Sequence, residues 1–381
     1  MENFIYEYKT KVIFGNGSVK NNLETELKKY GKTVMLAYGS GSIKENGIYE
    51  EVLSVLQKVG KNIVEFSGIM PNTTYAKVQE GAKLAKETKT DFILAVGGGS
   101  VIDCCKIISA QVKSNEDIWE LQFSKGKMTT KMLPIGAIVT ATGTGAEMNC
   151  GAVITNEEKH IKTGMFGATP AFAILEPDYT KSVPYKQVIS GAFDTLSHAM
   201  ETYFGVSEKN HVSDDVALAI MKNTVTNIRE VLKNPEDMEA RSNLMWDSAM
   251  AENGILKIGR RTDFQVHHIE HQLGAYTDCN HGQGLAVIQP IYYQHIINDA
   301  YDKFTQFAKV VFDENTAEKG LSALTGFIKE CGLPTKMSEL HSKVEITSDL
   351  LRKVADTCNI IKTNPREMTH DEIFEILTEC L

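Results

Sequence analysis

Long apolar runs are missing from this sequence: no stretch approaches about 18 consecutive apolar residues, so no helical membrane span is expected. Paired cysteines are missing too. The seven cysteines form no CxxC pair, and with Cys104 and Cys105 adjacent and the rest scattered they read as reduced thiols, not as a disulfide framework. A basic excess is absent: the formal net charge of −9 argues against nucleic acid or an anionic membrane as partner, since both demand a surface that neutralises phosphate. The N-terminal stretch MENFIYEYKTKVIF has no basic segment followed by an apolar run, so no signal peptide is expected and the cytoplasm is the expected location. Internal repeats and low-complexity linkers are also lacking.

What remains is an ordinary globular composition, 42% apolar and 23% charged, in 381 residues, long enough for two domains. From Thr33 onward, short buried-type runs (TVMLAYG, NIVEFSG, DFILAVGGGS) alternate with amphipathic ones (KENGIYEEVLSVLQKVG, TTYAKVQEGAKLAKETK). That alternation predicts a parallel sheet with helical crossovers, and in such sheets ligands sit at the carboxyl ends of the strands. Beyond Pro184 strand patterns stop and long amphipathic helices follow. The expected fold is α/β plus all-α: a Rossmann-like nucleotide-binding domain over residues 1–184 and a helical metal-binding domain over 185–381.

Three strand ends carry candidate contacts. Gly97, Gly98, Gly99 and Ser100 lead into the helix VIDCCKIISA, where backbone and a helix N-terminus can approach a pyrophosphate. A plain tight turn is the second reading of these glycines, and the GxGxxG fingerprint is absent. Asp103 can cap that helix or reach a neighbouring loop. The first strand ends in Gly39, Ser40, Gly41 and Ser42, with Lys44 beyond. No carboxylate is there to hold a ribose 2′-hydroxyl or repel a 2′-phosphate, which favours NADP(H) over NAD(H). The third end holds Asn72 before Thr73 and Thr74, either of which can cap a helix.

Histidine is concentrated. Four of the chain's ten, His267, His268, His271 and His281, fall in DFQVHHIEHQLGAYTDCNHGQG. In a helix His267 and His271 share a face, and a short turn can return His281 to it. Upstream, Asp194 and His198 have the same spacing within GAFDTLSHAMETYF. Two such helices facing each other bring one carboxylate and up to three imidazoles to a point, which suits iron(II) or zinc and not magnesium or calcium. For any one pair, a buried histidine bonded to a carboxylate is the plainer reading.

Together, VIFGNGSV, GGGSVID, GAFDTLSHAME and HHIEHQLGAYTDCNHGQGLAV resemble the iron-dependent (group III) alcohol dehydrogenases, in particular the NADPH-dependent butanol and aldehyde dehydrogenase branch, over essentially the whole chain. The resemblance implies a dehydroquinate synthase-like architecture, a homodimer, and metal ligands at Asp194, His198, His267 and His281. It implies that His271 lies near nicotinamide and substrate, outside the metal's ligand set. Cofactor contacts are implied at Gly39, Ser40, Ser42 and Asn72, at Gly97, Gly98, Ser100 and Asp103, and at Thr140, Thr144, Asn149, Lys162 and Val183. The implied reaction interconverts primary alcohols and aldehydes of butanol/butanal type with NADP(H), as an aldehyde reductase, with iron(II) as metal and zinc as the other choice. Two other readings stay open: a metal-dependent lyase of the dehydroquinate synthase type, needing Lys and Arg for a phosphorylated substrate, and a metal-binding protein without turnover.

Overall fold

Strands buried on both faces must be apolar at every position, and the central ones here are. The computed structural model describes residues 3–205, 211–363 and 365–381, which fall into two units, Tyr8–Pro184 and Tyr185–Leu381 with the first residues up to Glu7. The first unit contains β1 (Lys11–Phe14), α1 (Ser18–Leu27), β2 (Thr33–Tyr38), α2 (Ser42–Glu45), α3 (Ile48–Lys58), β3 (Asn62–Phe66), α4 (Tyr75–Glu87), β4 (Phe92–Gly97), α5 (Gly99–Lys113), β5 (Ile135–Val139), β6 (Gly151–Asn156), β7 (Ile161–Phe166) and β8 (Phe172–Leu175). Six strands form a parallel sheet in the order β1-β8-β5-β4-β2-β3. β6 and β7 make a separate antiparallel hairpin at the polar stretch TNEEKHIK.

Period-two alternation divides the sheet's faces. Val34, Leu36, Phe92, Leu94, Phe172 and Ile174 pack with Val19 and Leu23 of α1 and Val52 and Leu56 of α3. On the other face, Phe66 meets the α4–α5 pair, where Gly81 is required: a Cβ there would lie 2.4 Å from Ile108 Cδ1. The helix expected from Lys44 to Gly60 is broken into α2 and α3 at Gly47, whose φ of 80° favours glycine. β1, an edge strand whose short run offers little alternation, is invisible to the periodicity argument.

The second unit contains α6 (Tyr185–Phe204), α7 (Val212–Lys233), α8 (Met238–Glu252), α9 (Gln265–Thr277), α10 (His281–Ile296), α11 (Tyr301–Phe312), α12 (Ala317–Glu330), α13 (Ser348–Thr357) and α14 (His370–Glu379). Every residue of α6 from Val188 to Phe204 is buried, because α7, α8 and α10 pack around it. Residues up to Glu7 group with this unit although the sequence placed 1–184 together. There Tyr6 Cε2 lies 3.9 Å from where a Cβ on Gly254 would sit. No described helix is long and apolar enough to cross a membrane, and the seven cysteines are free thiols.

α7 and α8 are joined by a buried polar contact. Asp247 accepts from Asn223 Nδ2 at 2.9 Å and Thr224 Oγ1 at 3.1 Å, and burial pushes its carboxyl up to about 6, against these hydrogen bonds. A carboxyl raised on folding favours the folded state below its unfolded value near 4 and loses that advantage as pH rises through about 6. Asp247→Asn should therefore remove on the order of 3 kcal/mol of that pH-dependent loss. Denaturant melts of the two proteins from about pH 4 to pH 7 check this: the wild type should lose stability relative to the variant across the window.

Candidate active site

Burial forces polar side chains to find partners, and in the helical unit it orders a set of imidazoles. α6 carries Asp194, His198 and Glu201; α9 carries His267, Glu270 and His271; α10 opens with His281. Glu201 is wholly buried and accepts from the amides of Val266 (2.7 Å) and His267 (3.2 Å), so it caps α9, whose own N-cap residue supplies no side-chain bond. The same carboxylate also holds His267 Nδ1. Glu270, equally buried, holds His281 Nδ1. With each Nδ1–H donated to a carboxylate, the remaining Nε2 lone pairs turn inward.

They turn toward Asp194. His267 Nε2 and His281 Nε2 each lie 3.5 Å from Asp194 Oδ1, and His198 Nδ1 lies 3.7 Å from it. Two metal–ligand bonds of about 2.1 Å at a tetrahedral angle separate donor atoms by roughly 3.4 Å, so these spacings match a shared ion. Asp194 Oδ1, His267 Nε2 and His198 Nδ1 are buried without a hydrogen-bond partner, the condition a bound cation relieves. Asp194, His267 and His281 place their donor atoms within 4.8 Å of one another; His198 stands beside this trio, its ring stacked on His267 at 4.5 Å between centroids. Glu270, His271 and His281 meet the same spacing, but there Glu270 is already engaged by His281 Nδ1. His271 lies with its ring 5.3 Å from that of His281 and 5.9 Å from that of His267.

Charge supports the first trio. Burial alone would raise the Asp194 carboxyl, but His198 and His281 outweigh it and hold it well below the usual range. Burial would lower His267, yet Glu201 and Asp194 push it up to about 10. Burial dominates at His198 and lowers it. Burial, followed by the charge of Glu201, pushes Asp263 well up; it meets Tyr292 Oη at 3.0 Å behind the site. Glu201 and Glu270 were missed in the sequence reading. Each lies three residues after a motif histidine, His198 or His267, but in the sequence it looks like an ordinary helix charge.

Close approach of α10 completes the set. A Cβ on Gly282 would lie 2.2 Å from Ser190 O on α6, and one on Gly284 2.8 Å from Glu270 Cγ on α9. These glycines let His281 reach both Asp194 and Glu270.

In the sheet unit, β2 leads outward to β3 while β4 leads to β5 and β8 on the other side, so the order reverses between β2 and β4. Gly39 follows β2, Gly97 ends β4 with Gly98 and Ser100 after it, and Thr140, whose amide donates to Gly97 O at 3.1 Å, follows β5. Ser40 lies in the turn into α2, and Ser42 opens that helix. Gly97 and Gly99 have packing reasons of their own: Cβ atoms there would lie 2.5 Å from Val101 Cγ2 and 2.3 Å from Thr144 Oγ1. Asp103 reaches the hairpin, accepting from Val153 N at 2.8 Å and facing buried Lys106, which also meets Asn149 Oδ1 at 3.3 Å. Asn72 has φ 50° ahead of Thr74, which caps α4 through Lys77 N. Lys162 is buried on β7 opposite Thr155, whose amide bonds Thr73 O; Val183 ends the turn after β8.

Comparison with known proteins agrees with both units. The profile of the family described as iron-containing alcohol dehydrogenase matches residues 9–177, and that of the Fe-containing alcohol dehydrogenase family, C-terminal, matches 188–381. The chain is 37% identical to NADH-dependent butanol dehydrogenase A of Clostridium acetobutylicum, covering 89% of this chain and 90% of that protein. It is 31% identical to the NADPH-dependent aldehyde reductase YqhD of Escherichia coli, over 93% of each. The crystal structure of NADH-dependent butanol dehydrogenase A from Thermotoga maritima superposes with a TM-score of 0.93 at 32% identity, covering 100% of this chain and 99% of that one.

Because His267 must shed a proton held up to about 10, metal affinity should fall by up to tenfold for each unit of pH below that value. Competition with a chromophoric chelator at several pH values checks this; a flat profile contradicts a proton held that tightly on His267. Gly282→Ala should displace His281 and lower metal content after dialysis by about tenfold or more, with α10 still folded by circular dichroism.

Proposed function

The chain belongs to the iron-containing alcohol dehydrogenase family, and from that premise we propose that it reduces aldehydes of butanal type to primary alcohols with NADP(H), which it favours over NAD(H). The observation that carries the reading is the convergence of Asp194, His267 and His281 on one point with both imidazole tautomers fixed from behind. Asp194, His198, His267 and His281 hold the metal in this proposal, iron(II) in the first instance and zinc as the alternative, since both suit mixed imidazole and carboxylate donors. When bound, the metal supplies Lewis-acid polarisation of the carbonyl oxygen and the nicotinamide supplies the hydride.

The chain's own residues do the rest. Glu201 and Glu270 keep His267 and His281 oriented and basic. Burial of Asp194, His198 and His267 limits competing water. His271, buried beside both ligand histidines, moves the proton that the product alcohol requires. Gly39, Ser40, Ser42, Asn72, Gly97, Gly98, Ser100, Thr140 and Thr144 form the nucleotide edge, with Asp103, Asn149, Lys162 and Val183 supporting it. The preference for NADP(H) rests on the lack of a carboxylate between Gly39 and Ser42. Residence in the cytoplasm and assembly as a homodimer belong to the same proposal, supported by the reduced thiols and by the family likeness.

The lyase reading is disfavoured, since two of the basic residues that it would call on have acidic partners of their own. Arg260 is buried against Asp214, and Lys257 pairs with Glu252 at 2.9 Å.

The test is the anaerobic initial rate with butanal, using NADPH and NADH in parallel on protein reconstituted with iron(II) or zinc. A metal-dependent rate, faster with NADPH and reduced at least about a hundredfold in His267→Ala, is expected. No rate with any combination would sink the proposal.

A further inference from the structure

The loop after β2 has no carboxylate of its own, but the fold brings one to it. Glu65 on β3 pairs across the sheet with Leu36, so its side chain rises on the same face as Tyr38, the last residue of β2. There it accepts from Tyr38 Oη at 2.6 Å and Tyr49 Oη at 2.5 Å. Its oxygen Oε2 also lies 3.5 Å from Lys44 Nζ on α2, the short helix that follows Gly39–Ser42. Lys44 in turn sits over the Tyr49 ring at 4.5 Å and the Tyr38 ring at 5.2 Å. The two hydroxyls hold the Glu65 carboxyl below its ordinary value, so it is an anion at neutral pH. The other ammonium near this turn, that of Lys77, is already held by Glu80 at 2.9 Å. Both half-exposed partners, Glu65 and Lys44, thus stand beside the turn that approaches the adenosine ribose in the reading given above, on which this inference rests.

The geometry points to Glu65 as the residue that sets how strongly the enzyme distinguishes NADP(H) from NAD(H). Lys44 is the cation available to a ribose 2′-phosphate at this turn, and Glu65 competes with that phosphate for it. A nucleotide with a free 2′-hydroxyl carries no charge there and is indifferent to the competition. The two aromatic hydroxyls make the brake a built one: they fix the carboxylate in place without neutralising it, and they leave Lys44 on a four-carbon stem free to swing to either anion.

The experiment is a titration of the metal-loaded, full-length protein with NADP+ and with NAD+, followed by calorimetry, in wild type, Glu65→Gln and Lys44→Met. Removing the competing charge in Glu65→Gln should raise the ratio of the NAD+ to the NADP+ dissociation constant by about three- to tenfold, the range expected for unit charges several ångströms apart near a wet surface. Lys44→Met should lower the same ratio by a similar factor, and the effect of Glu65→Gln should vanish in the Lys44→Met background. An unchanged ratio in Lys44→Met, or equal shifts for both nucleotides in either variant, overturns the inference. If wild-type protein binds neither nucleotide, the dehydrogenase reading itself falls and this inference with it. Should Glu65→Gln fold poorly, Lys44→Met decides, since an exposed lysine carries little of the fold.

Discussion

A carboxylate taken out of water must be compensated, and Asp194 is compensated by imidazoles, those of His198, His267 and His281. That constraint orders the helical unit. His267 and His281 each have a carboxylate behind them, Glu201 from α6 and Glu270 from α9, which turns the other ring nitrogen inward. Those carboxylates are buried as well, and they are satisfied in turn by the amides at the start of α9, by Cys279 and by the histidines themselves. Charge alternates outward from the centre, carboxylate, imidazole, carboxylate. A cation placed at the centre turns a costly arrangement into a stable one.

The helices obey this arrangement more than their own propensities. α9 begins after Phe264, which adopts a left-handed backbone at φ 62°, and it borrows its cap from α6. α10 begins with glycine at its second and fourth positions, poor choices for a helix in isolation, because Ser190 and Glu270 leave no room for a side chain. Local preference was yielded where the site needed close approach, which is the pattern expected of functional positions.

Much of this was legible in the sequence. Alternating apolar runs gave the parallel layer, and the i, i+4 pairs Asp194/His198 and His267/His271 with His281 marked the centre. What escaped notice depended on contacts between distant segments. Glu201 and Glu270 look like ordinary helix charges until burial is known. Glu65 looks like the solvent side of an edge strand until strand register pairs it with Leu36, on the face that carries Tyr38. β1 was too short to carry a period, and the break between α2 and α3 was overlooked because Gly47 sits within an otherwise helical pattern. The glycines after β4 were read chiefly as phosphate-facing, whereas Val101 and Thr144 give Gly97 and Gly99 steric reasons independent of any ligand.

α6 has no solvent face from Val188 to Phe204. A surface helix can drift in sequence on its outer side, but here every substitution alters packing, the donor set, or both. The helix therefore has no silent side: a change at any of these positions is carried into α7, α8 or α10, or into the donor set itself.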